Sequence, residues 1–151
     1  MLSDFINENL ICLKVPADNW EEAIRKSASV LLENDKITAS YIEAIIRNVR
    51  DDGPYIVITK HVALSHARPE AGAKEIAIGI ATLEHPVKFG NKDNDPVKYV
   101  FTLSATNSES HLQAISELVE LLEKEEFYEV LDKAKSAKEI MNYIKAHELE
   151  E

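Results

Sequence analysis

Apolar positions change their spacing twice in the first third of the chain. The run Leu10–Val15 is apolar, partly β-branched and stopped by Pro16, which predicts a buried strand. Apolar residues then recur every three or four positions, as they do on the buried face of a helix. Helices are therefore predicted at residues 1–8, from Asp18 or Asn19 to Asn34, and from an N-cap at Thr38 to the stop signal Asp51-Asp52-Gly53-Pro54.

Beyond residue 54 the pattern turns to short apolar stretches and then returns to helical spacing. Four strands are predicted, at Tyr55–Ile58, Ala63–His66, Ile76–Leu83 and Val97–Ala105. Three helices follow: one opens at Ser110 with the inner face Leu112, Ile115, Leu118, Val119 and Leu122, and two shorter ones span Phe127–Leu131 and Ala137–Ile144. Blocks of strands and helices in this order predict an α/β protein, a three-layer α/β/α sandwich whose mixed sheet carries helices on both faces.

Composition favours one globular domain over residues 1–151. A chain of 151 residues with 45% hydrophobic content can bury a core without a disulfide or a structural metal. Its 27 acidic and 17 basic residues give a net charge of −10, which argues against nucleic acid or an anionic membrane as a partner. The lone Cys12 is expected to be a buried thiol, and neither a signal peptide nor an apolar run of ~18 residues is found. We expect a cytoplasmic protein without direct membrane insertion.

Two of the five histidines occupy positions where reactive side chains are commonly displayed. His66 lies where a predicted strand gives way to a loop; the alternative is a loop histidine bonded only to backbone. His111 follows Ser110, and Ser110-x-x-Gln113 has the form of a capping box. This placement predicts an imidazole at the start of a helix, beside free N–H groups and the positive end of the dipole. The alternative for His111 is an exposed first-turn residue.

The remaining candidates have weaker claims. His61 is either a loop residue or part of a metal cluster, whereas Asp93 and Asp95 are expected to be turn residues rather than cation ligands. His85 is predicted to lie in a turn and His147 in an exposed tail. The sequence contains no Gly-rich phosphate loop, HExxH, CxxC or Gly-x-Ser-x-Gly pattern.

Four short motifs, in their order and spacing, resemble a known family. They are Gly53–Ile58, Leu64–Glu70, Asp93–Val97 and His111–Gln113. Over nearly the whole chain they resemble the mannitol/fructose-type (type 2) enzyme IIA of the bacterial phosphoenolpyruvate-dependent sugar phosphotransferase system (PTS). The ascorbate branch is most similar, since it typically reads Pro-His-Gly/Ala-Arg-Pro-Glu at its active site and shares the Asp-Asn-Asp-Pro turn. Ser65 departs from this pattern, because the family usually has proline there.

The resemblance implies the type 2 IIA fold and the role of a phosphoryl carrier. His66 would accept a phosphoryl group from the phosphocarrier HPr, and His111 would stabilise it. Arg68, Arg47 and Ser110 are candidates for binding the phosphate oxygens. No metal or cofactor would be needed, because the donor P–N bond is already labile.

The same resemblance implies the partners of the chain. The phosphoryl group would pass to a cysteine of an enzyme IIB, while a membrane IIC component carries the sugar, expected to be ascorbate or a related sugar acid. A homodimer is compatible with the family. The alternative function is that of a regulatory domain, which uses the same histidine to report phosphorylation state to a non-transport partner.

The negative charge is distributed unevenly along the chain. Residues 117–151 contain 11 acidic and 5 basic side chains, whereas residues 47–70 contain four basic and three acidic ones. A site that holds a phosphoryl dianion should not concentrate negative potential on it. We therefore expect the acidic C-terminal third to lie away from His66.

Overall fold

Five strands form one mixed sheet with the order β1-β4-β5-β3-β2. The computed structural model describes residues 1–149. The strands are β1 (Ile11–Val15), β2 (Val57–Thr59), β3 (Val62–Ser65), β4 (Ala77–Val87) and β5 (Val97–Ser104). The pairs β1–β4 and β3–β5 are parallel, whereas β4–β5 and β2–β3 are antiparallel. The prediction of a mixed sheet is thus confirmed.

Helices cover both faces of this sheet. Two lie on one face and three on the other: α1 (Trp20–Glu33) and α2 (Ala39–Asp52), then α3 (Ser108–Leu122), α4 (Glu125–Lys133) and α5 (Ala137–Leu149). Val100 and Phe101 are adjacent in β5 and belong to the two different hydrophobic cores, because successive side chains of a strand point to opposite faces. The three-layer α/β/α architecture is confirmed. None of the helices within residues 1–149 has the length and hydropathy needed to cross a bilayer.

Local signals set the limits of α1 and α2. Asn19 is the N-cap of α1, and its Oδ1 accepts a hydrogen bond from the backbone N–H of Glu22 at 2.9 Å. Thr38 is the N-cap of α2, as predicted. Gly53 ends α2 with a φ of 92°, a conformation that glycine adopts without a steric penalty.

Two histidines outside the cleft lie elsewhere than predicted. His85 is not in a turn but within the long strand β4, where a shift in the pairing with β5 accommodates the irregular backbone. His147 is not in an exposed tail but in α5, where it is half-buried. The end of α5 is bound to the N-terminal segment, since the Glu148 carboxylate accepts bonds from the backbone N–H and the hydroxyl of Ser3, each at 2.7 Å.

Two further predictions are wrong in detail. Residues 1–8 do not form one helix; two single 3-10 turns lie at Leu2–Asp4 and Glu8–Leu10. The inner face of α3 includes Leu118 as predicted, but Leu112 is 68% exposed and Val119 39% exposed. The buried stripe of a helix depends on how the helix is rotated against its neighbours, which spacing alone does not specify.

The parallel pair β3–β5 brings two distant segments of the chain together. Ser65, the last residue of β3, pairs with Thr102 near the end of β5. Because parallel strands end at the same edge of a sheet, the loop after β3 lies beside the connection from β5 into α3. His66 follows β3 directly, and His111 lies in the first turns of α3.

Candidate active site

A cleft of about 950 Å³ opens at this edge of the sheet. Its walls are the loop after β3, the start of α3 and one face of α2. Its lining includes His66, Arg68, His111, Asn48, Asp52 and Tyr55. Among the described residues, α4 and α5 contribute no side chain to this lining, so the acidic C-terminal third lies away from the cleft.

His66 is held by backbone two residues before it. Its Nδ1 lies 2.8 Å from the carbonyl oxygen of Leu64. A carbonyl oxygen can only accept a hydrogen bond, so the single proton of the neutral ring is assigned to Nδ1. The other ring nitrogen, Nε2, keeps its lone pair and is the atom available to react. The side chain is half-buried and lines the cleft.

His111 lies beside His66. The centroids of the two rings are 5.8 Å apart and their planes are inclined by 58°. Burial and, secondarily, the neighbouring His66 lower the pKa of His111 below its ordinary value. This shift favours the neutral form of the imidazole, which has one N–H to donate in a hydrogen bond.

The helix that carries His111 begins earlier than predicted. Asn107, not Ser110, is the N-cap of α3, and its Oδ1 accepts a hydrogen bond from the Ser110 N–H at 2.8 Å. The N–H of His111 is bonded to the Asn107 carbonyl at 3.1 Å, so it is not a free first-turn donor. Ser110 belongs to the cap, since its hydroxyl lies 3.1 Å from the same carbonyl.

The positive end of the α3 dipole nevertheless reaches the cleft. Asn107 and Ser108, at the start of this 15-residue helix, both line it. The first N–H groups of a helix have no acceptor within it, and together with the dipole they favour an anion. Ser110, by contrast, is not part of the cleft lining, because its hydroxyl is directed into the cap.

The structure distinguishes the arginine candidates. Arg68 lines the cleft and is exposed, and its guanidinium makes no hydrogen bond or ion pair within residues 1–149. Arg47 is exposed and does not line the cleft, and Arg50 is paired with Glu21, with Nη2 2.7 Å from Oε2. The reason is the helical period: α2 turns residues 44, 48 and 52 toward the cleft, and position 47 lies on a neighbouring face.

Three residues of the cleft were not identified from the sequence. The ring of Tyr55 stands edge-on to His66, with 6.2 Å between centroids and 85° between planes. Burial and the Asp52 carboxylate raise the pKa of Tyr55. A hydrogen bond with Asn48 lowers it, but by less. The signal that could have revealed the α2 pair was its spacing, since Asn48 and Asp52 are polar residues four apart on one helix face.

The charge of the lining differs from that of the segment 47–70. Arg68 is its only arginine or lysine among the described residues, and the lining also contains two carboxylates, Asp52 and Glu70. The basic side chains at 47, 50 and 60 point elsewhere, because residues adjacent in sequence lie on different faces of a helix or a turn. Leaving the two histidines aside, the lining therefore carries a net charge of −1, whereas the segment 47–70 carries +1.

The loop that carries His66 is braced from the core. The Tyr41 hydroxyl donates to the Leu103 carbonyl at 2.7 Å and accepts from the Ala67 N–H at 3.1 Å. Ser65, where the family usually has proline, is fully buried and paired in the sheet with Thr102. The β-ladder therefore constrains the backbone before His66, where a proline ring would otherwise do so.

The weaker candidates have structural roles. His61 has a φ of 69° between β2 and β3, and its Nδ1 lies 2.7 Å from the Pro96 carbonyl. Asp95 accepts the N–H groups of Phe89 and Gly90 at 2.9 and 2.8 Å, as a turn residue does. Burial raises the pKa of the half-buried Cys12 to about 11, which makes it an inert thiol. Within residues 1–149 no three His, Cys, Asp or Glu side chains form a metal-binding group.

Comparison with known proteins agrees with this geometry. The family described as "Phosphoenolpyruvate-dependent sugar phosphotransferase system, EIIA 2" matches residues 4–147. The ascorbate-specific PTS EIIA component of Escherichia coli K12 is 34% identical over 95% of this chain and 94% of its own length. The mannitol-specific cryptic phosphotransferase enzyme IIA of Escherichia coli, solved in solution, is 40% identical over 95% of this chain and 97% of that chain, with a TM-score of 0.84.

A second solved structure shares the fold at lower identity. Enzyme IIA for mannitol from Escherichia coli, solved in complex with phosphorylated enzyme IIB, superposes with a TM-score of 0.80. It is 23% identical, and the match covers 93% of this chain and 97% of that chain. The family match over nearly the whole chain and the two closer relatives lead to one conclusion: the chain belongs to the type 2 EIIA family of the phosphoenolpyruvate-dependent sugar phosphotransferase system, whose members are phosphotransferases.

Proposed function

We propose that this chain carries a phosphoryl group on His66 between the phosphocarrier HPr and an enzyme IIB. The observation that supports this most directly is the bond between Nδ1 of His66 and the Leu64 carbonyl, which leaves Nε2 free in the cleft beside His111. A neutral imidazole with one unprotonated nitrogen is the state that can attack phosphorus.

The first transfer exchanges one P–N bond for another. The Nε2 lone pair of His66 forms the new bond while the bond to the histidine of phospho-HPr breaks, and the departing imidazole retains the electron pair. Three donors are placed to bind the phosphoryl oxygens: the N–H of the His111 ring, the start of α3 and the Arg68 guanidinium. Such preorganised donors stabilise charge on the transferring group.

The second transfer reverses the roles. A cysteine thiolate of enzyme IIB attacks phosphorus, the P–N bond breaks, and Nε2 of His66 regains its lone pair. The rim of the cleft suits a protein acceptor, because Leu112 is 68% exposed and Tyr55 47% exposed at its border. Exposed apolar side chains beside a reactive group are typical of a surface that docks a partner.

The transported compound that we propose is ascorbate or a related sugar acid. The stretch Ser65–Glu70 and the Asp93–Pro96 turn favour the ascorbate branch, and the curated relatives include an ascorbate-specific component. A mannitol-specific relative is 39% identical, so uptake has to be measured for both compounds. In a strain that lacks its own IIA component, this chain should restore uptake of the compound that its IIB and IIC partners select.

Phosphorylation can be tested directly. The purified chain is incubated with phosphoenolpyruvate, enzyme I and HPr, and its mass is measured under alkaline conditions that preserve phosphohistidine. Wild-type protein and His85→Ala, a control in which an exposed histidine is removed, should each gain one phosphoryl group. His66→Ala should gain none, and a phosphoryl group on that variant would refute the assignment. Addition of IIB separates transport from a regulatory role, because a carrier loses its phosphoryl group to IIB.

A further inference from the structure

A second cleft, of about 310 Å³, lies at the opposite edge of the sheet. It is lined by residues at the end of β1, the start of β5 and the end of α4, among them Lys14, Lys98, Tyr99 and Asp132. Lys98 stands at the beginning of β5, and the cleft of His66 lies beyond the end of that strand. At ~3.3 Å per residue, the two clefts are roughly 20 Å apart. A volume of this size suits a small molecule.

Lys14 has an unusual backbone at this cleft. Its φ is 53°, in the left-handed region that a residue with a Cβ rarely adopts. The register of the β1–β4 pair shifts between Cys12 and Val15, and the Lys14 N–H is bonded to the hydroxyl of Thr82 at 2.9 Å. A bulge of this kind redirects a side chain, and strained backbone is common at binding sites.

Both lysines of the cleft lack a partner. Within residues 1–149, neither the Lys14 nor the Lys98 ammonium makes a hydrogen bond or an ion pair. Three other lysines are paired with carboxylates, Lys26 with Glu22, Lys36 with Glu75 and Lys74 with Asp35, whereas the remaining lysines within residues 1–149 make no ion pair. Lys14 and Lys98 are set apart by lining one cleft together, where their two positive charges balance the carboxylates of Glu84 and Asp132.

The carboxylates of the lining complete the site. The Tyr99 hydroxyl donates to Oδ1 of Asp132 at 2.5 Å, which leaves Oδ2 of Asp132 as an acceptor. Glu84 lies 3.2 Å from His85 at the rim. The anionic group of a ligand would accept hydrogen bonds from the two lysines, and a hydroxyl of the same ligand would donate one to Asp132. We propose that this cleft binds a small hydroxylated organic anion, a sugar phosphate or a sugar acid.

The site is tested by titration of the full chain, followed by backbone amide NMR. Glucose 6-phosphate, gluconate and inorganic phosphate serve as probes, and neutral glucose as the control. We expect saturable shifts at the amides of Lys14, Thr82 and Tyr99 with at least one organic anion, and none with glucose. The comparison of phosphate ester with carboxylate identifies the preferred anionic group. If no anion shifts these amides, or if the shifts are confined to the cleft of His66, the proposal is wrong.

Substitutions establish whether the lysines carry the binding. Lys14→Gly keeps the fold, because glycine tolerates a φ of 53°, and it should melt no lower than wild type. Lys14→Gly and Lys98→Ala should each weaken binding about tenfold, the contribution of one hydrogen bond to a charged group. The double variant Lys92→Ala/Lys145→Ala removes two positive charges from exposed positions, one more than either single variant, and should bind like wild type. If the control variant lost as much affinity for the anion, the effect would come from net charge alone and the proposed site would be wrong.

His66 is not required for this binding. His66→Ala abolishes the proposed phosphoryl transfer but should bind the anion with unchanged affinity. Conversely, Lys14→Gly should be phosphorylated at the wild-type rate. The anion site and the phosphoryl transfer can thus be refuted independently. His66→Ala should affect only phosphoryl transfer, and Lys14→Gly should affect only anion binding.

Discussion

The Nδ1 atom of His66 lies 2.8 Å from the carbonyl oxygen of Leu64, and this hydrogen bond leaves Nε2 as the unprotonated nitrogen of the ring. The two residues flank Ser65, the last residue of β3. The end of β3 thus positions His66 directly after the sheet. It also provides the carbonyl that determines the tautomer of the ring.

We expect the phosphoryl group of the phosphorylated chain to reside on Nε2 of His66. Phosphorylation on Nδ1 would require the Leu64 bond to break, because one nitrogen cannot hold both a proton and a phosphoryl group in a neutral ring. Two-dimensional NMR that correlates ³¹P or ¹⁵N with the ring protons distinguishes the two isomers. A phosphoryl group on Nδ1 would contradict the tautomer that we assign.

His111 should titrate below the ordinary histidine value of ~6.5. Burial comes first among the causes that lower the pKa of His111, and His66 comes second. The midpoint from NMR titration should therefore lie below 6.5 in wild type and move only part of the way back in His66→Ala. A midpoint above the ordinary value would show that the ring is stabilised as a cation, contrary to its environment.

The same shift links stability to pH. Between its folded and ordinary pKa values, His111 binds a proton in the unfolded chain but not in the folded one. Its contribution to stability is therefore complete above ~6.5 and is lost as the pH falls from that value toward the folded pKa. Denaturant unfolding of wild type and His111→Gln at several pH values should show a smaller loss of stability on acidification in the variant.

Arg68 and Arg47 should differ in their effect on transfer. Arg68→Ala removes the guanidinium that lines the cleft and should slow phosphorylation by HPr about tenfold, the contribution of one charge-assisted hydrogen bond. Arg68→Lys should recover part of this rate, because lysine retains the charge but not the planar pair of donors. Arg47→Ala is the matched control and should react at the wild-type rate, since α2 turns this residue away from the cleft. Equal rates in Arg68→Ala and Arg47→Ala would remove Arg68 from the site.

Tyr41→Phe should reduce both stability and transfer. The substitution leaves the Leu103 carbonyl and the Ala67 N–H without their buried partner, at a cost of about 1–3 kcal/mol in the free energy of unfolding. Ala67 adjoins His66, so the loop that displays the imidazole should loosen and phosphorylation should slow. Tyr128→Phe also removes a hydroxyl bonded to a carbonyl, but Tyr128 lies in α4, outside the cleft lining, and its partner is the Leu122 carbonyl at the end of α3. This variant should lower stability without changing the transfer rate; slowed transfer in Tyr128→Phe would indicate a general effect of instability.

Features that depend on a few neighbouring residues were predictable from the sequence. The N-caps Asn19 and Thr38 and the end of α2 before Gly53 are local, because a cap depends on one side chain or one backbone conformation. The sequence predicts that α3 starts at Ser110, whereas the structure has Asn107 as N-cap and Ser108 as the first helical residue; Asn107 and Ser110 are both residue types that cap helices. Sequence spacing could not decide between them, since they share one capping box in the folded chain.

The alternation of strands and helices, the two-sided covering of the sheet, the family resemblance and the two histidines of the cleft could all be predicted from the amino-acid sequence. These follow from hydrophobic period and from short motifs, which are local properties of the chain. The free nitrogen of His66, the arginine that lines the cleft, and the positions of Tyr55, Asn48 and Tyr41 around the reactive loop became apparent in the folded chain alone. Those relationships depend on the rotation of α2 and on the parallel pairing of β3 with β5, which are set by packing between residues far apart in sequence.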